Sequence, residues 1–445
     1  MADQQASMGE EEEPQQQQQH QPNSPSPDAE ITDNPTQQQQ EYSWPAIRFD
    51  VHPQRAFHFR RQFRTSPTPN NFLKGVKWSP DGSCFLTSSE DNTLRVFALP
   101  DYGSENANGC SVAADEDSYA ANLVVNEGES VYDFCWYPYM SAADPVTCVF
   151  ATTSRDHPIH LWDASSGQLR CTYRAYDAVD EITAAFSIAF NPTGTKIFAG
   201  YNKSVRVFDL HRPGRDFEQY STLQGNKEGQ TGIMSAMAFC PTHSGMLAIG
   251  SYSKTAAIYR EDNMEPLYVL HGHEGGITHM NQSFCFQVQF SKDGNYLYTG
   301  GRKDPYILCW DIRKAVDVVY KLYRSSEDTN QRILFDIEPL GRHLCTGGQD
   351  GVVHIYDLQT GQWVTGFQAA LDTVNGFSFH PFLPLATTSS GHRRFVGPDD
   401  GNEELHLSGD ENCASVWSFS VASMVENDAA MDADDYNSHN LDQHP

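Results

Sequence analysis

The sequence predicts an all-β protein, a seven-bladed β-propeller, from three observations. The first is a turn that recurs seven times, in which an apolar strand ends in a large apolar residue and a turn with Pro or Gly leads into a β-branched strand. The copies lie at residues 78–82, 137–138, 190–194, 239–241, 290–294, 337–341 and 379–381. Short strands that alternate with such turns are typical of repeat proteins built from β-sheets. The other two observations are a series of aromatic residues near the ends of later strands and the composition of the chain ends.

The second observation is an aromatic residue that ends a later strand of each repeat. These residues are Phe97, Trp162, Phe208, Tyr259, Trp310, Tyr356 and Trp417, and they are 46 to 65 residues apart. WD repeats are about 40–45 residues long, with four strands per blade. The spacing therefore predicts a WD-repeat propeller over residues 72–419, with acidic insertions at 101–130 and 391–412.

The third observation is that the chain ends differ from this region. Residues 1–41 are rich in Gln and contain nine acidic and no basic residues, and residues 399–445 contain twelve and none. Together with seven acidic residues in 101–130, they account for the formal charge of −28. Segments with few aromatic residues and high net charge cannot bury a core. We therefore predict disordered acidic tails at 1–41 and 420–445, and a body that is neutral on balance.

Residues 42–71 form a separate segment, a basic and aromatic arm. A propeller must close its ring, and after Trp417 the sequence offers no good fourth strand for the last blade. We expect residues 42–64 to supply that strand beside 414–419. The first candidate is 46–52, because Ile47, Phe49 and Val51 alternate with polar residues.

An irregularity lies at residues 280–287, where about eight residues more than in other blades separate the strand start from its turn. We predict that this insertion forms a loop or bulge, since neighbouring blades offer no pairing partner for it.

Sequence motifs of enzymes and cofactors are missing. There is no GK[ST] phosphate loop, GxGxxG, HExxH, GxSxG or CxxC, so neither catalysis, a cofactor nor a zinc site is expected. Neither a signal peptide nor a run of eighteen apolar residues occurs. We expect a soluble cytoplasmic or nuclear binding platform that uses no membrane and no small-molecule substrate.

Several strings outside the generic repeat carry a closer resemblance. They are NFLKG at 71–75, YDFCWY at 132–137, PIHLWD at 158–163, RPGRD at 212–216, GGITH at 275–279, RKD at 302–304, CWD at 309–311, TNQR at 329–332 and HPFLPL at 380–385. In these strings the chain resembles the telomerase Cajal body protein family over residues 71–396. The acidic, Gln-rich N-terminus and the 280–287 insertion depart from the family pattern.

This resemblance implies a nuclear, non-enzymatic scaffold. Such a scaffold would bind the Cajal body box of H/ACA-class small Cajal body RNAs and direct these RNAs to Cajal bodies. Telomerase RNA is a second expected cargo. The H/ACA ribonucleoprotein, telomerase components and Cajal body proteins are the implied partners. The Cajal body box lies in a terminal loop, and proteins read such loops by stacking and by Arg contacts.

Four basic residues are the candidate RNA contacts. Arg302 and Lys303 are the first choice and Arg155 and Arg332 the second, because they lie in turns within or beside the family-like strings. Scattered, solvated cations are the competing interpretation. A different function is suggested by WDIR at 310–313, which has the WDxR form common in substrate receptors of cullin-type ubiquitin ligases.

Overall fold

The structure is a computed structural model that describes residues 44–65, 68, 70–99, 119–224, 228–243, 245–272, 285–314, 317–394 and 407–422. Over these residues the chain forms seven four-stranded antiparallel sheets, one two-stranded hairpin and one short helix. The predicted all-β, seven-bladed propeller is confirmed. The predicted disordered tails, 1–41 and nearly all of 420–445, lie outside the described residues.

The strands follow one another blade by blade. The chain begins with β1 (Gln54–Phe59) and helix α1 (Arg61–Arg64). Blade 1 contains β2 (Leu73–Trp78), β3 (Cys84–Ser89), β4 (Thr93–Ala98) and β5 (Leu123–Asn126). Blade 2 contains β6 (Val131–Trp136), β7 (Val149–Ser154), β8 (Ile159–Asp163) and β9 (Leu169–Tyr173). Blade 3 contains β10 (Ser187–Phe190), β11 (Lys196–Tyr201), β12 (Ser204–Asp209) and β13 (Glu218–Ser221).

A hairpin of β14 (Leu223–Gln224) and β15 (Glu228–Gly229) connects blades 3 and 4. Blade 4 contains β16 (Met234–Phe239), β17 (Met246–Ser251), β18 (Thr255–Arg260) and β19 (Pro266–His271). Blade 5 contains β20 (Cys285–Phe290), β21 (Tyr296–Gly301), β22 (Tyr306–Asp311) and β23 (Val318–Tyr323). Blade 6 contains β24 (Phe335–Ile337), β25 (His343–Thr346), β26 (Val352–Asp357) and β27 (Gln362–Gln368). Blade 7 contains β28 (Val374–Phe379), β29 (Leu385–Ser390) and β30 (Ala414–Ser418), followed in the sheet by β1.

The core lies between the blades. The second strand of a blade is covered on both faces, so β3, β7 and β29 are buried along their whole length. The fourth strand is at the edge, and β9 and β27 bury only one side chain each. This gradient explains why the second strands read as β-branched runs ending in small residues.

Polar side chains of the innermost strands connect neighbouring blades. The Gln287 amide donates to the Phe335 carbonyl at 2.6 Å and accepts from the Phe335 N–H at 2.9 Å, which joins blade 5 to blade 6. Asp336 then accepts from the Phe379 N–H of blade 7 at 2.9 Å. Asp133 of blade 2 accepts from the Ile188 N–H of blade 3 at 3.1 Å. These bonds fix the wall of the central channel.

Ring closure uses a segment other than the first candidate. β1 pairs antiparallel with β30 from Gln54 opposite Ser418 to Phe59 opposite Ala414. The pairing expected of residues 42–64 with 414–419 is therefore present, but 46–52 is not the strand. Within that segment Ile47 makes a single bridge to Val421. The buried partners decide the choice, because β1 places Phe59 in the core between blades 7 and 1.

Two of the predicted insertions end at other residues than the sequence predicts. Residues 101–118 lie outside the described residues, but β5 falls within the predicted 101–130 insertion, so those inserted residues end before Leu123. Similarly, 280–284 lie outside the described residues, whereas Cys285 and Gln287 pair with β21. The last three residues of the predicted 280–287 insertion thus belong to a strand. Among the described residues, no helix is long and apolar enough to span a membrane.

Candidate functional site

A cavity of about 1220 Å³ opens at one end of the central channel. Its wall combines the innermost strands with the turns between second and third strands and the segments that lead into first strands. In an antiparallel blade these turns and segments lie at the same end. All four candidate cations, Arg155, Arg302, Lys303 and Arg332, line this cavity. The structure therefore brings together residues from blades 2, 5 and 6 that are far apart in the sequence.

Arg302 is the most unusual of the four. Its Nε is buried and has no hydrogen-bond partner, and within the described part of the chain no carboxylate pairs with it. Burial lowers the pKa of Arg302 to about 10, and the nearby charges of Arg332 and Arg393 add to the effect, against a smaller opposing influence of Tyr252. A partly buried cation beside other cations is electrostatically unfavourable unless an anion joins it.

Arg332 has internal partners. Its guanidinium donates to the Tyr132 carbonyl of blade 2 at 2.9 Å and to the Ser235 carbonyl of blade 4 at 3.3 Å. Because the residue itself precedes blade 6, it spans the channel and connects three blades. This arrangement supports the structural interpretation for Arg332, although its remaining N–H groups face the same cavity as Arg302.

Arg155 and Lys303 lie nearer the solvent. The Arg155 side chain is 55% exposed and its Nη1 is 4.0 Å from Glu129. A hydrogen bond with the Tyr132 side chain raises the pKa of Arg155. Lys303 is half-buried and has a left-handed backbone with a φ of 53°. Both side chains can reach a ligand that sits over the cavity.

Other residues of the cavity were not predicted from the sequence. Lys74 and Arg393 share Glu90, at 2.9 and 2.6 Å, and Arg393 lies over the Phe72 ring at 5.7 Å. The rings of Tyr132 and Phe186 stack at 5.3 Å with an angle of 18°. Phe72 and Tyr132 lie inside the family-like strings, which was a usable signal. Arg393 was missed because it lies in the stretch read as an acidic insertion.

The sequence is similar to that of several known proteins. The model of the WD domain, G-beta repeat, matches residues 61–97, 170–209 and 264–311. The chain is 44% identical over 354 residues to Telomerase Cajal body protein 1 of Rattus norvegicus, covering 77% of this chain and 64% of the relative. It is 34% identical over 358 residues to the Telomerase Cajal body protein 1 homolog of Drosophila melanogaster, covering 79% of this chain and 63% of the relative. The chain belongs to the telomerase Cajal body protein family.

A further relative extends this picture. The Guanine nucleotide-binding protein negative regulator 1 of Schizosaccharomyces pombe is 30% identical over 372 residues, covering 81% of this chain and 89% of that protein. By contrast, the chain spans slightly less than two thirds of the telomerase Cajal body proteins that it matches.

In this member of the family, two arginines at the opposite end of the propeller are paired with carboxylates. Arg170 pairs with Asp163 at 2.7 Å, and Arg342 pairs with Asp357 at 3.2 Å. Both aspartates also accept backbone N–H bonds in their turns, as expected of structural rather than catalytic carboxylates. In the described residues, no group of His, Cys, Asp and Glu could hold a metal ion.

The WDxR string lies at this opposite end. Arg313 donates to the Asp311 carboxylate at 2.8 and 2.9 Å and lies over the Tyr296 ring at 5.4 Å. Its guanidinium is thus paired within its own turn. Arg313 and Lys314 form a second Arg-Lys pair in blade 5, at the end away from Arg302 and Lys303.

Proposed function

We propose that this protein is a non-enzymatic scaffold that binds the Cajal body box of H/ACA-class small Cajal body RNAs at the mouth of the central cavity and directs them to Cajal bodies. The observation that carries the proposal is the guanidinium of Arg302, whose buried Nε has no hydrogen-bond partner and which shares one cavity with the cations Lys303, Arg332 and Arg155. A negatively charged ligand that enters this cavity would remove the repulsion among these cations.

The cavity suits a segment of single-stranded RNA. Small-molecule pockets usually enclose about 300–1,000 Å³, and this cavity of about 1220 Å³ is larger and open to the solvent. Terminal RNA loops present unpaired bases that stack on aromatic or guanidinium planes. The Tyr132–Phe186 stack and the Arg393–Phe72 pair provide such planes on the cavity wall.

The acidic composition of the chain is compatible with this role. The segments that carry the net charge lie at the chain ends and in one insertion, outside the strands that form the cavity. Local charge at a cavity, rather than the total, governs the attraction of an anion.

The name of the relatives, Telomerase Cajal body protein, supports the nucleus and the Cajal body as the location. We propose telomerase RNA as a second cargo, and the H/ACA ribonucleoprotein, telomerase components and other Cajal body proteins as partners.

The test is to purify the tagged full chain from nuclear extract of its own organism after crosslinking and to sequence the bound RNA. We expect enrichment of H/ACA-class RNAs, with crosslinks in a terminal loop, over an unrelated WD-repeat protein. Absence of that enrichment would refute the proposal. Enrichment of ubiquitin-ligase subunits without RNA would instead favour the receptor function suggested by WDIR.

A pair of matched variants tests the site. Replacing Arg302 and Lys303 by Ala removes two cations from the cavity, whereas replacing Arg313 and Lys314 by Ala removes the same two residue types from the opposite end of blade 5. Each phosphate contact contributes about −0.7 to the slope of log affinity against log salt for single strands. We expect the first variant to lose about 1.4 of that slope and the second to keep it. Equal slopes in two folded variants would exclude Arg302 and Lys303 from the site.

A further inference from the structure

The turn between the second and third strands contains one residue of left-handed conformation in each of blades 1 to 6. They are, in blade order, Asn92 (φ 63°), Asp156 (57°), Lys203 (57°), Lys254 (65°), Lys303 (53°) and Gly351 (78°). The repeat of the backbone geometry shows that the turn itself requires this conformation. The side chain at the position is therefore free to vary only among residues that tolerate it.

Lysine is not a residue that the geometry favours. Glycine avoids the Cβ clash of the left-handed region, and Asn and Asp visit it more readily than other residues do. Blades 1, 2 and 6 follow this rule with Asn92, Asp156 and Gly351. Three consecutive blades, 3 to 5, instead have lysine. Backbone geometry does not explain three lysines in a row, but a shared need for positive charge at these turns does.

These three turns lie at the same end of the propeller as the cavity, because each connects the second and third strands. Lys303 directly follows Arg302 and itself lines the cavity. Lys203 is exposed and Lys254 half-buried, and the Lys203 N–H donates to the Gly232 carbonyl at 2.8 Å, which anchors the turn. The arrangement is an arc of cations on rigid turns that ends at the cavity.

The acidic residues at this end are distributed unevenly. In the three lysine-bearing turns, residues 202–203, 252–254 and 302–305, the acidic residue is Asp304, which is buried and only 2% exposed. The same turns of blades 1 and 2, by contrast, contain Glu90, Asp91 and Asp156. Among the turns between second and third strands, those of blades 3 to 5 are therefore the positive ones. The segments that enter blade 3 and leave blade 5 at the same end contain acidic residues: Asp177, Asp180, Glu181, Glu327 and Asp328.

We propose that Lys203, Lys254 and Lys303 form a phosphate track over blades 3 to 5. The track holds the backbone of the single-stranded RNA that leads to the loop bases at Arg302. This inference rests on the proposed function, and it adds the direction from which the RNA crosses the propeller. Phosphate contacts of this type set the register of a nucleic acid without reading its sequence.

The test replaces all three lysines by Asn, which removes the charge and retains a residue that tolerates the left-handed region. The matched control replaces Lys196, Lys292 and Lys314 by Asn. These lysines lie at the opposite end, Lys196 at the start of β11 and the other two in turns, and their replacement changes the net charge equally. Binding is measured against salt with an H/ACA terminal-loop RNA and a scrambled loop. We expect the track variant to lose about 2 units of slope and about fiftyfold in affinity at 0.15 M salt, from about −0.7 per phosphate.

The control should bind within twofold of the parent, and replacing the three track lysines by Arg should restore the slope. A track variant that matches the control in slope and affinity would overturn the proposal. If the triple variant does not fold, each single Asn variant is expected to lose about 0.7 of slope. If the parent protein binds the H/ACA loop and the scrambled loop equally, loop recognition is refuted. The difference in salt slope between the track variant and the control still tests the track in that case. A parent that binds no RNA would refute both.

Discussion

Replacing Arg302 by Met should make the free protein more stable and the RNA complex weaker. Met has a similar length and no charge, so it removes the buried cation without leaving a large gap. The lowered pKa of Arg302, about 10 against an ordinary 12.5, indicates how strongly the cavity disfavours its charge. One pKa unit corresponds to about 1.4 kcal/mol, so the gain in unfolding free energy is at most about 3–4 kcal/mol.

Arg302 is either a structural residue or a binding residue, and the two roles predict different changes in unfolding free energy and RNA affinity when it is replaced. A structural arginine stabilises the fold, and its loss would lower the unfolding free energy. A binding arginine without internal partners destabilises the free protein and is compensated by the ligand. Denaturant unfolding and RNA titration of the Arg302→Met variant measure both quantities. The Arg313→Met variant is the control, since Arg313 is paired with Asp311 and should leave RNA affinity unchanged.

The reasoning would be refuted if Arg302→Met lowered the unfolding free energy by more than about 1 kcal/mol, the net contribution of one ordinary hydrogen bond, and left RNA affinity at the parent value. That result would make Arg302 a structural residue.

Three further predictions concern stability. Arg332→Met should lower the unfolding free energy by about 2 kcal/mol, the contribution of a charged hydrogen bond, because two carbonyls lose their donor. A higher unfolding free energy in denaturation experiments would contradict the role of Arg332 as a bridge across the channel. Phe59→Ala should lower the unfolding free energy by about 3–5 kcal/mol, because it truncates a buried Phe. Gln54→Ala, at an exposed position of the same strand, should change it by less than about 0.5 kcal/mol. Equal melting curves for the two variants would disprove closure by β1. His380 accepts two backbone N–H bonds at Nδ1, and burial lowers its pKa to about 4. The unfolded chain then binds the extra proton first, so stability falls as pH drops from 6.5 to 4 by up to about 1.4 kcal/mol per pH unit, and His380→Asn should flatten that slope in pH-dependent unfolding.

The number of blades was predictable because it depends on local signals. Each turn, such as residues 190–194, and each strand-ending aromatic, such as Phe208, occurs within one repeat. Counting such signals requires no knowledge of distant contacts. The WD-repeat propeller could therefore be predicted from the sequence alone.

Residues 42–64 do supply the closing strand, but the first candidate within them, 46–52, was wrong because the identity of this strand depends on distant partners. Both 46–52 and β1 contain alternating apolar residues. β1 has the better long-range fit: the buried His58 is 2.9 Å from the Ser415 hydroxyl, and Phe59 packs on Phe97 at 4.7 Å. Residues 46–52 pack elsewhere, with Phe49 against His343 of blade 6. Period-two alternation alone does not distinguish these two environments.

The candidate site was predictable only in part, for a similar reason. Arg302 and Lys303 could be selected because they lie in a family-like string. Three other features are properties of the folded ring. Arg332 crosses the channel, Arg393 lies over the Phe72 ring, and Lys203 has a left-handed backbone. They depend on how blades meet or on a dihedral angle, and residue types do not reveal either.

The rigidity of the blades explains how the channel mouth can hold unfavourable features. In blades 5 and 7 a buried tryptophan N–H donates to a threonine hydroxyl of the neighbouring strand, from Trp310 to Thr299 at 2.9 Å and from Trp417 to Thr388 at 3.0 Å. A left-handed non-glycine residue costs about 1–2 kcal/mol, and such conformations persist only where the surrounding structure determines them. In blade 5 such a bond joins the two strands on either side of the turn that contains Arg302 and Lys303, and it restrains this turn. The backbone of Arg302 and Lys303 is therefore positioned for an anion before it arrives, and binding does not have to order it.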